Sequence, residues 1–284
     1  MLPTPCTAHV SFDTIYEPAE DSYLFLDTLS SASESAWLTQ HFASGPSPTI
    51  LEVGSGSGVV LAFVVANSPT ILGRADVLSL STDLNRAACL ATRETVVRAI
   101  AQQQEQQQQQ QQADPESQPN PHTSSSAQNT TSIKSQHLSS LQTNLATPLR
   151  PGSIDLLLFN PPYVPTDTLP RAPAPEDFPE PSSTESRSAQ FERASYLLSL
   201  TYAGGKDGME ITEHLLADLP RVLSARGVAY VLLCAQNRPR EVVERIRGWG
   251  TGTGTGERWC AEIAGFSGKQ AGWEKLVIVR VWRE

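Results

Sequence analysis

The chain has 284 residues, a formal net charge of −9 and a pI near 5.1, enough for one large domain or two small ones. It lacks the Lys and Arg clusters that neutralise nucleic-acid phosphates, so tight nucleic-acid binding by this chain alone is disfavoured. Hydrophobic residues make up only 39 %, so part of the chain is expected to be disordered.

Cys6, Cys89, Cys234 and Cys260 form no CxxC pair, which points to a reducing compartment, the cytoplasm and also the nucleus. The histidines show no metal-ligand spacing, so no metal is expected. No basic stretch followed by an apolar run opens the chain, so no signal peptide is expected. Apolar runs such as Val59 to Ala66 are too short to span a bilayer.

In chain order, a helical preface is predicted over Pro18–Leu29, within a segment 11–30. Thr49–Val53 reads as a strand, Val59–Asn67 as a helix, Asp76–Thr82 as a strand and Arg86–Ile100 as a helix. From Ala101 to Gln136 the composition collapses to Gln, Ser, Thr, Pro and Asn, which predicts a disordered, dispensable insertion. Leu138–Leu145 is a weak third strand. Ile154–Phe159 is continuously apolar, as in a strand buried on both faces. Thr166 to Ser188 is a Pro-rich loop. Ile211–Leu223 and Arg238–Gly248 read as helices, and Gly227–Ala235, Arg258–Ala264 and Trp273–Trp282 as strands. This alternation implies one α/β domain over 1–284, with a mostly parallel sheet and helices on both faces.

Leu51 to Gly58 leaves a strand and enters a helix as Leu-Glu-Val-Gly-Ser-Gly-Ser-Gly. Glycines there allow a tight turn and a close approach of backbone N–H groups to a ligand. Glu52 would repel a pyrophosphate but would accept from the ammonium or hydroxyl groups of S-adenosylmethionine. Asp83, followed by Leu84, ends the next strand, where a carboxylate accepts from ribose hydroxyls. Its plainer role is to cap the helix that begins near Asn85. Asn144 and Leu145 fall where an adenine ring would be contacted. Cofactor contacts are therefore expected from Glu52, Gly54, Gly56, Asp83, Leu84, Asn144 and Leu145.

Asn160-Pro161-Pro162-Tyr163 follows the buried strand, at the end of the sheet where ligands bind in open α/β folds. The prolines fix the backbone and remove two N–H donors. The Asn160 side-chain oxygen and the Pro161 carbonyl remain as acceptors, suited to a target NH2 group with two hydrogens. Holding both hydrogens orients the nitrogen toward a methyl sulfonium and stabilises developing positive charge. Tyr163 is expected to offer a flat face to a planar amide or base. A merely rigid Asn-Pro-Pro turn is the structural alternative.

With Tyr16-Glu17-Pro18-Ala19-Glu20-Asp21-Ser22 and Ala203-Gly204-Gly205-Lys206-Asp207-Gly208, these motifs resemble the HemK family of protein-glutamine methyltransferases, in its eukaryotic branch that modifies the class 1 translation release factor. The short preface leaves no room for the separate N-terminal helical domain of bacterial members. The resemblance implies a class I S-adenosylmethionine-dependent methyltransferase fold, Rossmann-like and seven-stranded. It implies methylation of the δ-amide of the Gln in a Gly-Gly-Gln tip. It also implies a heterodimer with a small zinc-binding activator subunit. Ser22 would hold the cofactor's amino-acid end and Tyr16 would lie over it; Asn144 replaces an acidic residue, and Asn160 would also border the cofactor.

Plainer readings stand beside these. Ala203–Gly208 serves equally as a loop before a helix capped by Asp207. Glu17, Glu20 and Asp21 read equally as a solvated first helical turn. The Thr-Gly repeat at Thr251–Gly256 reads as a flexible hairpin loop without phosphate-binding context. Asn-Pro-Pro-Tyr also occurs in DNA adenine methyltransferases, so an adenine-N6 enzyme on DNA or RNA is the rival activity, with lysine methylation beside it. A cofactor-binding scaffold without activity is the non-enzymatic alternative. The third strand, Leu138–Leu145, is expected at a sheet edge with no charge or proline to protect it, and so as the strand to which the activator adds its own.

Overall fold

The computed structural model describes residues 2–113, 134–173, 186–250, 258–268 and 275–284. Its strands are β1 (Thr49–Val53), β2 (Leu78–Asp83), β3 (Gln136–Gln142), β4 (Ile154–Phe159), β5 (Leu223–Cys234), β6 (Trp259–Phe266) and β7 (Leu276–Arg283). The helices are α1 (Glu20–Leu29), α2 (Ala32–His41), α3 (Val59–Ala66), α4 (Ser68–Ile71), α5 (Arg86–Ala113), α6 (Arg187–Tyr202), α7 (Glu210–Val222) and α8 (Pro239–Arg247).

The strands form one seven-stranded sheet in the order β3-β2-β1-β4-β5-β7-β6. β1 to β5 pair in parallel, and β7 inserts antiparallel between β5 and β6. This is the class I methyltransferase arrangement. The order turns around between β1 and β4, which opens a crevice at their carboxyl ends. The central strands are apolar on both faces because both are covered. In β4, Leu156 and Leu158 join the core beneath α1 and α3, while Leu157 and Phe159 join the core beneath α7 and α8.

Several predicted boundaries move. The strand predicted at Asp76 starts at Leu78, and β5 starts at Leu223, with an irregular register between Ile154 and Leu156 of β4. The third strand ends at Gln142, so Thr143, Asn144 and Leu145 form a turn beyond it. α5 runs on through Ala113, so residues 101–113 of the predicted disordered insertion are helical. Gln is a good helix former, and an existing helix propagates more easily than a new one nucleates. The remainder of that insertion, most of the Pro-rich segment and the Thr251–Gly256 repeat lie outside the described residues. The Pro-rich segment gives way to α6 at Arg187, capped by the Ser186 side chain, which accepts from the Ala189 N–H at 3.2 Å. No α6 residue is buried, so no apolar period marks it.

The preface also holds a second helix, α2, that the apolar pattern missed. Its signal is Ser31-Ala32-Ser33-Glu34, in which Ser31 accepts from the Glu34 N–H at 3.3 Å. Glu34 is buried and takes 2.7 Å and 2.8 Å bonds from Tyr230 and Arg280. The Arg280 guanidinium stacks 3.9 Å over the Trp37 ring. This ion pair docks the preface onto β5 and β7.

Candidate active site

A glycine turn joins β1 to α3. Gly54, Gly56 and Gly58 all adopt positive φ. A side chain on Gly58 would press within 2.6 Å of the Thr92 backbone, so α5 closes on the turn only because no Cβ is present. The Gly54 and Ser55 N–H groups donate to the Thr82 carbonyl at the end of β2, at 2.8 Å and 3.3 Å. Thr92 Oγ1 donates to Ser55 Oγ at 2.8 Å.

A buried carboxylate, Glu52, and a half-buried one, Asp83, flank this turn. Glu52 accepts from the Leu61 N–H of the first turn of α3 at 3.1 Å. Burial pushes its pKa up to about 8, with the Asp83 charge adding to the rise. Asp83 Oδ2 accepts from the Gly56 N–H at 3.0 Å and Oδ1 from the Asn85 N–H at 2.8 Å. Burial raises its pKa too, against those backbone bonds. The cap of α5 is Asn85 rather than Asp83. Asn85 Oδ1 accepts from the Ala87 N–H at 2.9 Å, and Asn85 Nδ2 donates to the Thr14 carbonyl at 2.7 Å. Asp83 thus fastens the glycine turn and still faces the cavity.

That cavity, of about 310 Å3, lies at the carboxyl ends of β1, β2 and β4. Tyr16, Ser22, Glu52, Gly54, Gly56, Asp83, Leu84, Asn144, Leu145, Asn160, Pro161 and Pro162 all line it. Leu145 holds a positive φ in the turn after β3. Arg221 clamps that turn by donating to the Ala146 and Leu149 carbonyls at 3.0 Å and 2.6 Å. Tyr163 is the exception. It lies off the cavity wall and packs against the core beneath α1 and α3, so it does not present a face to a target group there. The far wall comes from Leu169, Pro170, Leu197, Leu200, Ile211 and His214, none marked by a sequence motif.

The Ala203–Gly208 segment braces the Asn-Pro-Pro loop. Val164 donates to the Tyr202 carbonyl at 3.0 Å, Gly204 to the Val164 carbonyl at 2.8 Å and Thr166 to the Gly205 carbonyl at 3.0 Å. A Cβ on Gly208 would collide with the Tyr163 carbonyl, so the two loops nest only with glycine there. Asn237 completes the brace, donating to the Asp207 carbonyl at 3.0 Å while accepting from the Cys234 N–H at 2.8 Å. Asp207 is not a helix cap. Met209 holds that position in α7 without a side-chain bond, and Asp207 sits in a left-handed conformation.

The Asn160 carboxamide divides its two ends. Its Nδ2 donates to Asp21 Oδ2 at 3.1 Å, and its buried Oδ1 has no partner. Asp21 itself is buried at 4 % exposure, not solvated as the first-turn reading allowed. A buried acceptor without a donor is costly unless a ligand completes it. These features fit S-adenosylmethionine: a glycine turn open to a backbone-hugging ligand, cavity-lining acids free of cation partners for hydroxyl and ammonium donors, and an acceptor waiting beyond them.

Similar proteins match most of the chain. The eRF1 methyltransferase catalytic subunit mtq2 of Schizosaccharomyces pombe is 26 % identical over 87 % of this chain and 85 % of its own. Methyltransferase HEMK2 of Mus musculus is 29 % identical over 87 % and 85 %, and that of Homo sapiens 27 % identical over 86 % and 84 %. Over most of its length this chain is similar to methyltransferases of the HemK type. No protein-family model matches it. The solved plantazolicin methyltransferase BpumL, in complex with SAH, covers 92 % of this chain and 84 % of its own at 12 % identity, with a TM-score of 0.43. S-adenosylmethionine is the cofactor of this methyltransferase, and Glu52, Asp83 and the glycine turn line the cavity.

Proposed function

We propose that the enzyme methylates the side-chain amide of the Gln in the Gly-Gly-Gln tip of the class 1 release factor. The observation that carries this reading is the unpartnered Asn160 Oδ1 at the cavity wall. An acceptor there takes a hydrogen from an amide NH2 and not from a hydroxyl-free carbon or a tertiary amine. The similarity to the fission-yeast eRF1 methyltransferase catalytic subunit points the same way.

When bound, S-adenosylmethionine supplies an electrophilic methyl group. Asn160 Oδ1 accepts an N–H of the target amide and holds the nitrogen lone pair toward that methyl carbon. As the nitrogen took the methyl from the sulfonium, with the S–C bond breaking and the sulfur leaving as a neutral thioether, positive charge would pass to the nitrogen, where the fixed Oδ1 dipole of Asn160 would stabilise it. The proton then leaves to solvent, so no strong base is required. Leu169, Pro170 and Leu197 of the far wall keep bulk water from the reacting amide.

The partner is, in our proposal, a small zinc-binding activator that adds a strand to β3. β3 ends the sheet order, and Leu138 on it is 52 % exposed. On the adjoining α5, Leu90 and Val97 are 52 % and 51 % exposed, two turns apart on one face. An unprotected edge beside apolar side chains is the surface a strand-adding subunit covers. Leu90→Asp with Val97→Asp should abolish co-purification with the activator while the glycine turn still binds cofactor; a stable complex would sink this interface.

The activity is tested by incubating the enzyme, with and without the activator, with release factor and methyl-labelled cofactor. Label should appear on the native release factor and not on one whose tip Gln is replaced by Ala. Label on DNA adenine or on lysine instead would favour the rival activities.

A further inference from the structure

We infer that Asp21 is a positioning residue that locks the Asn160 carboxamide with its oxygen toward the reacting amide. This inference rests on the reading of Asn160 as the acceptor for the target N–H.

A primary carboxamide is nearly symmetric in shape. Rotated by half a turn, it would aim its NH2 into the cavity and repel the target's own N–H groups. Something must therefore break the symmetry, and β4 and the prolines cannot, since they fix the backbone and leave the terminal torsion open. Asp21 can. A carboxylate only accepts, so Nδ2 alone can face Asp21 Oδ2, and the 3.1 Å contact sends Oδ1 the other way. The turned-over form would set oxygen against oxygen in a buried place.

Asp21 is in turn held still. Its Oδ1 accepts from the Ser22 N–H at 2.6 Å and from Ser22 Oγ at 3.3 Å. It sits in the first turn of α1, where the helix favours negative charge, and Ala19 ahead of it offers no side-chain cap. Its charge also polarises the Asn160 amide and makes Oδ1 a stronger acceptor as positive charge grows on the nitrogen. The preface is thereby part of the machinery: α1 aims a side chain carried by β4, 139 residues away in sequence.

The decisive variant is Asp21→Asn, which keeps the shape but can donate as well as accept. A second variant, Asp21→Asn with Asn160→Asp, swaps the two groups. It restores one N–H to oxygen bond between the positions and leaves an oxygen facing the cavity. We expect Asp21→Asn to lower kcat for release-factor methylation by about 10- to 100-fold, as loss of a charge-assisted hydrogen bond does. Its cofactor Kd should stay within about threefold, and the swap should recover most of the lost rate. In the ligand-free chain labelled with 15N-Asn, the side-chain NH2 signal that vanishes in Asn160→Ala should be protected from exchange. It should lose that protection in Asp21→Asn. An unprotected signal in the wild-type chain would overturn the inference without any assay. So would a kcat for Asp21→Asn within twofold of wild type, a loss lying wholly in cofactor Kd, or a swap no more active than the single variant. An Asn160→Ala enzyme that turns over normally would instead overturn the acceptor reading itself.

Discussion

Two acid sites lie on the same face of this sheet, and they are built for opposite ends. Beneath the preface, Glu34 is fully answered: Arg280 and Tyr230 both donate to it, and Trp37 and Trp282 close over the cation. At the carboxyl ends of β1 and β2, Glu52 is as deeply buried and Asp83 half-buried, but both have only backbone N–H partners. Their pKa values rise for that reason. A paired buried acid fixes one element on another. An acid without a cation partner, facing a cavity, keeps acceptor capacity for a ligand. Burial alone does not separate structure from function here; the missing cation does.

The largest effect should come from breaking the answered site. Glu34→Ala takes the buried carboxylate from Arg280 and Tyr230, leaving Arg280 only the exposed Glu262, and should cost ~3–5 kcal/mol of stability, read by urea unfolding. Cofactor affinity of the protein that remains folded should be unchanged. A loss below ~1 kcal/mol would show that the pair is not what docks the preface.

At the unanswered site the effect falls on the ligand. Asp83→Ala removes the acceptor and loosens the glycine turn, so S-adenosylmethionine binding should weaken by ~1–3 kcal/mol in calorimetry. Unchanged affinity in the folded variant would move the ribose site elsewhere.

The smallest effect is a pH dependence. The Glu52 pKa is raised from 4.5 to about 8 in the folded chain, so between those values the native state holds a proton the unfolded chain has released. The contribution of this residue to ligand-free stability is full below pH 4.5 and is lost as pH rises through about 8. The slope is at most ~1.4 kcal/mol per pH unit. A ligand that donates to the ionised form should bind more tightly as pH rises toward 8. Glu52→Gln should flatten both trends; equal pH slopes in wild type and variant would mean that Glu52 does not titrate in this window.

The same contrast explains what the sequence disclosed. The glycine turn, Asp83 and the Asn-Pro-Pro loop were legible because they are local: each is a run of neighbouring residues beside an apolar strand. The Glu34–Arg280 pair joins residues far apart in the chain, so only the Ser31-x-x-Glu34 cap hinted at α2. Asn237 bracing Asp207 was invisible for the same reason. Tyr163 was misread because a motif gives neighbours in sequence, not the direction of a ring. The role of α5 as a continuous helix into the Gln tract was masked by composition, although Gln itself favours helix.

The central claim is that the free oxygen of Asn160 takes up the target amide. The direct test is the single-turnover rate of methyl transfer to the release-factor Gln by Asn160→Ala, with cofactor affinity measured on the same sample. The account predicts a rate lower by ~10²–10³-fold with cofactor affinity near that of wild type. Turnover comparable to wild type would contradict it.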